Sequence, residues 1–137
     1  MWKWYALLSA IFAALTAILA KIGVKNINSN VATAIRTVII LFMSWGIVIF
    51  AGQLKEVKNL SKNNILFLVL SGIATGLSWL FYFKALQTGP VSKVAPIDKF
   101  SVALAMGLAF IFLGESPDLK TIIGGLLILA GTIVMIL

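Results

Sequence analysis

The sequence predicts an all-α integral membrane protein with five transmembrane helices, and three observations lead there. Of 137 residues, 61% are apolar and 11% charged, with a mean hydropathy of +1.11. A water-soluble domain carries about 25% charged residues, and eleven basic plus four acidic side chains cannot cover a soluble core of this size. The apolar residues fall into five runs, each close to the ~20 residues that a helix rising 1.5 Å per residue needs to cross hydrocarbon. Lysines gather at the ends of those runs, where they anchor helices to anionic headgroups.

The same composition excludes much chemistry. With no cysteine and no histidine, disulfide frameworks, thiolate nucleophiles, zinc sites and imidazole acid-base catalysis are ruled out. No spacing pairs a serine or lysine nucleophile with a base, so neither an enzyme nor a cofactor is expected. The net charge of +7 is scattered among hydrophobic runs and forms no basic face, so no nucleic-acid partner is expected.

The first helix, about 4–24, opens on the aromatic belt Trp2, Trp4 and Tyr5 with Lys3, and closes on Lys21 and Lys25. Its apolar run is too long for a secretory signal core, and four similar segments follow. Ser9, Ala13, Thr16 and Ala20 recur at helical spacing as a small, mildly polar stripe that either meets another helix or lines a cavity. Asn26 to Asn30, NINSN, reads as a turn that ends one helix and caps the next. The second helix, about 31–52, carries Thr33, Arg36 and Thr37 in its first turns. Arg36 reads first as a snorkelling anchor and second as a substrate contact. A polar connection with Lys55, Lys58 and Lys62 covers 53–64.

The third helix, about 65–86, places Ser71, Thr75, Ser78 and Tyr82 on one stripe, flanked by Trp79, with Gly72 and Gly76 beside it as a small-xxx-small pair for close helix packing. The hydroxyls either face a wetted surface or bond back to their own helix.

After Gly89-Pro90 the fourth helix runs over about 91–113, with Pro96 releasing the carbonyl of Ser92. Asp98 is the one acidic residue inside a predicted helix, since Glu56, Glu115 and Asp118 fall in connections. The uncharged stretch after Lys99 is about 15 residues, or about 22 Å, against a hydrocarbon core of about 30 Å, so Asp98 and Lys99 lie inside the hydrocarbon or at its edge. In a regular helix Asp98 shares a face with Ala95, Ser101, Ala105 and Ala109, while Lys99 lies about 100° round with Ala103 and Met106, so the two are not expected to form an ion pair. Gly114 to Lys120 is a compact turn in which Ser116-Pro117 suits a helix start. The fifth helix, about 121–137, is uncharged, with glycines at 124, 125 and 131. It reads as a packing or oligomer-contact element.

Taken together, ALQTGPVSKVAPIDKFS after a Trp- and Phe-rich helix, then LAFIFLGES and GGLLILAG, resemble the EamA family of the drug/metabolite transporter superfamily over nearly the whole chain. The resemblance implies a multi-pass protein of the cell (inner) membrane that carries small organic solutes. Most members hold two such five-helix units in opposite orientation, so this single unit is expected to be half of an inverted-repeat transporter and to find its second half in another chain. With five spans, Lys3, Lys55, Lys58, Lys62 and Lys120 share one side of the membrane, and Lys21, Lys25, Lys84 and Lys93 the other, joined by Arg36 if it snorkels that way, five against four or five. So even a balance scarcely selects an orientation. An antiparallel, dual-topology homodimer is the expected assembly. The alternative is a single orientation set by the second loop's lysines, with a different half-size partner.

The expected function is secondary transport by alternating access. The candidate substrate and coupling residues are Asp98, Lys99, Trp79, Tyr82, Ser78, Thr75, Thr16 and Ser101. Trp79 and Tyr82 supply aromatic walls. Asp98 either exchanges a coupled proton or locks helix register against a cation, and Lys99 either steadies that carboxylate or binds an anionic solute. The competing reading is an accessory membrane subunit that carries nothing itself.

Overall fold

The computed structural model describes residues 1–137. Its helices are α1 (Trp2–Gly23), α2 (Ser29–Phe50), α3 (Leu54–Val57), α4 (Lys62–Thr88), α5 (Val91–Asp98), α6 (Phe100–Phe112) and α7 (Leu119–Ile136). Five segments are long and apolar enough to cross a membrane, α5 and α6 together forming one of 22 residues over Val91–Phe112. Large apolar side chains such as Phe42, Phe67, Ile111 and Leu127 stand exposed along them, a surface that suits lipid and not water. The chain is a multi-pass, all-helical membrane protein.

Capping residues decide where these helices begin and end. Asn26 takes the left-handed conformation, φ 64°, which asparagine tolerates, and the Asn28 side chain accepts the Asn30 N–H at 2.8 Å. α2 therefore opens at Ser29, two residues before hydrophobicity alone suggests. It closes with Gly52 at φ 70°, where the Gly52 N–H reaches the Ile49 carbonyl and the Gln53 N–H the Val48 carbonyl, both at 3.0 Å, a Schellman ending that only glycine enters without strain. The polar connection after it contains the one-turn α3. Ser61 Oγ accepts the Asn64 N–H at 3.1 Å, so α4 starts at Lys62, ahead of the apolar run. At α7 the capping group is Asp118, which accepts the Thr121 N–H at 3.1 Å. The helix start assigned to Ser116-Pro117 thus falls two residues later.

The expected continuous fourth helix is interrupted. α5 ends at Asp98, Lys99 sits between the two segments, and α6 begins at Phe100. Around the break the bonding tightens to three-residue spacing: the Lys99 N–H donates to Pro96 at 3.0 Å and the Val102 N–H to Lys99 at 2.9 Å. Pro96 lies inside α5 and cannot donate, and such interruptions in spans are tolerated where side chains or water satisfy the freed carbonyls.

The chain divides into two compact units. In the first, residues 1–18 and 88–137, α5 and α6 pack on α7. Gly125 is buried there, and a Cβ added to it would lie 2.7 Å from Met106 Cε, whereas Gly124 and Gly131 have open space. Close packing thus uses one glycine, and not the pair seven residues apart.

The second unit, residues 19–87, is tightest where α1 hands over to α2 and α4 ends. Val24, Phe83 and Leu86 are buried there, with Ser29 and Thr33. Lys21 Nζ donates to the Leu86 carbonyl and Gln87 Nε2 to the Ile27 carbonyl at 2.6 Å, the first of these satisfying a carbonyl in the last turn of α4. Gly72 and Gly76 do not mediate close packing within the chain, since added Cβ atoms would meet nothing within 4 Å. The tight end of α4 lies two or more turns further along. The α1 stripe is likewise covered only in its second half: Ser9 and Ala13 are exposed, Thr16 and Ala20 half-buried, and the buried residue is Ala17.

Candidate functional site

The predicted residues fall into two local groups, one in each unit. In the first unit Asp98 and Lys99 meet at the break after α5. Lys99 Nζ lies 3.5 Å from Asp98 Oδ2, with side chains 55% and 36% exposed. The expectation that these neighbours do not pair is overturned: the backbone at Lys99 stays close to helical, and it is the long, flexible lysine side chain that reaches back to the carboxylate. An ion pair this open is worth about 0–1 kcal/mol in water. The Ser101 hydroxyl donates to the Asp98 carbonyl at 2.7 Å, occupying an acceptor at the break. Val91 lies about 10 Å back along the helix axis from Asp98, which puts the pair well within the span. Thr16 is half-buried on α1.

In the second unit Thr75, Ser78, Trp79 and Tyr82 lie on α4. The Thr75 hydroxyl donates to the Ser71 carbonyl at 2.9 Å, one turn back on its own helix, and Thr33, Thr37, Ser44 and Thr132 bond back in the same way. Thr75 and Ser101 thus spend their protons on backbone and keep oxygen lone pairs to offer. Trp79 and Tyr82 are half-buried, and Tyr82 meets the buried Phe83 edge to face, centroids 6.4 Å apart.

Arg36, for which the sequence suggests a membrane anchor first and a substrate contact second, joins this second group. Its guanidinium carbon lies 4.4 Å from the Trp79 ring centroid and 5.2 Å from that of Phe83. A cation over such faces gains about 0.5–2 kcal/mol, most where water is excluded. Trp79 and Phe83 stand four residues apart on α4, one above the other, so they form a two-ring platform. The chain's single arginine, with an aromatic pair at helical spacing, was the available signal. Two shallow grooves lie elsewhere, one beside Trp45 and α3, the other along Trp4 to Ala14.

The family model described as EamA-like transporter family matches residues 1–137. An uncharacterized transporter in the cobO 3' region of a Sinorhizobium species is 47% identical over 134 residues, which cover 98% of this chain and 95% of that protein. The uncharacterized transporter YxxF of Bacillus subtilis (strain 168) is 31% identical over 133 residues, 93% of this chain but 40% of the relative. No solved structure matches.

Proposed function

The chain belongs to the EamA-like transporter family, and from that premise we propose how it works. It is a membrane transporter of the drug/metabolite type. The proposed working unit is one five-helix domain, residues 1–137, paired with an inverted copy of itself. This antiparallel, dual-topology homodimer moves small organic solutes by alternating access.

The observation that carries the reading is the open charge pair. Asp98 and Lys99 lie within a span, yet their side chains are 36% and 55% exposed in the single chain. Facing hydrocarbon they would be costly, so water or a second protein surface stands against them, and an inverted partner encloses both. The near-even lysine balance, five toward one side and four toward the other, supports insertion both ways. Asp98 serves as the coupling carboxylate and exchanges a proton as solute moves, while Lys99 steadies its charge. Trp79 and Tyr82 provide aromatic walls, and Thr16, Thr75, Ser78 and Ser101 provide polar lining.

The test is transport by the purified chain as the sole protein in lipid vesicles, measured as counterflow of labelled amino acids, sugars, polyamines and lipophilic cations. At least one class is expected to move, and Asp98→Asn is expected to abolish its movement at every pH with expression and dimer intact. Unchanged transport in Asp98→Asn dismisses the coupling role. Vesicles that move none of these solutes, with a stable hetero-complex in native membrane, replace the carrier by an accessory subunit.

A further inference from the structure

We propose that Arg36 receives an oxyanion group, carboxylate or phosphate, carried by the solute; this rests on the transporter reading and names the solute's charge. The first reason is depth. Arg36 stands seven residues inside α2, about 10 Å from its start. A snorkelling arginine sends its head toward the nearer helix end. Here the guanidinium lies closer to Trp79, nine residues from the end of α4, than to Phe83, five residues from that end. The head rests against rings more than one turn back from the helix end.

The second reason is charge. Within residues 19–87 the one carboxylate is Glu56, on α3 beyond the opposite end of α2, about 21 Å or more along the axis from Arg36. Lys21, Lys25 and Lys84 add positive charge near the Arg36 end. The tightest part of the unit is therefore cationic with no carboxylate of its own. Charged groups in spans persist where they have a partner or a function.

The third reason is geometry. A guanidinium that lies over aromatic rings can still present an N–H edge, whose planar fork matches two oxygens of a carboxylate or phosphate. A lysine would offer a point charge without the fork. The half-buried Trp79 ring also gives the organic part of the solute an apolar surface beside its charge.

Trp79 reports on this site directly. The full-length chain with Trp2, Trp4 and Trp45 changed to Phe is placed in phosphatidylcholine vesicles, and Trp79 emission is followed during titration with sodium acetate, succinate or inorganic phosphate at constant ionic strength. Sodium chloride and tetramethylammonium chloride are the controls. A saturable change with at least one oxyanion and with neither control is expected. It should weaken about tenfold or more in Arg36→Gln, the loss of a charge-assisted contact, and persist in Lys58→Gln. Because the parent protein alone must respond, an unstable Arg36 variant does not shelter the idea. No saturable response, or an equal one in Arg36→Gln, overturns it. A Trp79 change on adding phosphatidylglycerol to the vesicles, with none from soluble anions, also overturns it and makes the occupant a lipid headgroup. Solute counterflow in the same vesicles that oxyanions do not inhibit sinks this inference while leaving the transporter reading standing.

Discussion

Asp118, fully exposed, illustrates how one side chain sets a boundary that hydrophobicity does not reveal. Hydrogen bonds from the Thr121 side chain and backbone hold its carboxyl below the ordinary 3.8. The folded value is the lower one, so the cap's contribution is complete above the ordinary value and is lost as pH falls through the depressed one. The Thr121 amide, corrected for intrinsic rate, is therefore expected to stay protected from hydrogen exchange at neutral and mildly acidic pH and to open only in stronger acid. Asp118→Ala should remove that protection throughout, and undiminished protection in the variant would refute the cap. At the same scale, Asp98 was legible as the lone carboxylate inside a predicted helix, whereas the place of the Arg36 head was not. A sequence shows that an arginine is near a helix end, but not that two rings of another helix hold its head.

Among elements, α7 was legible as a packing helix, but which glycine packs was not, because that depends on where Met106 of α6 arrives. Gly125→Ala puts a methyl against the flexible tip of Met106 and is expected to cost less than about 1 kcal/mol. Gly125→Val, which the tip cannot clear, should cost about 1–3 kcal/mol. Gly124→Val should change little, since that position is open. Unfolding in mixed detergent measures the order, and equal losses at the two positions would refute the contact. The interruption at Lys99 was half legible. Pro96 announced a weakness in the helix, but the break fell three residues later, where side-chain and three-residue backbone bonds could absorb the freed carbonyls.

For the whole molecule, the balance of basic residues is the property that local structure cannot supply. Changing Lys55, Lys58 and Lys62 to Gln leaves two lysines against four and is expected to drive one orientation, with the Lys21 and Lys25 side in the cytoplasm. Changing Lys25 and Lys93 to Gln should bias the chain the other way. Reporters fused to the C-terminus read the orientation. Each biased chain alone should lose solute counterflow, and co-expression of the two should restore it. Full transport by one uniformly oriented variant would rule out the antiparallel dimer.

Class, span number and family followed from the sequence alone, because transfer into lipid is a sum over residues along each segment and a motif is read in order. Five apolar runs, basic ends and the GPVSKVAPIDK signature needed no third dimension. Only the tertiary structure decided that Asp98 pairs with Lys99, that Gly125 and not Gly124 meets Met106, and that Arg36 rests on Trp79 and Phe83. Each depends on where a side chain reaches or which groups from separate helices meet, and hydrophobic periodicity is nearly blind to both.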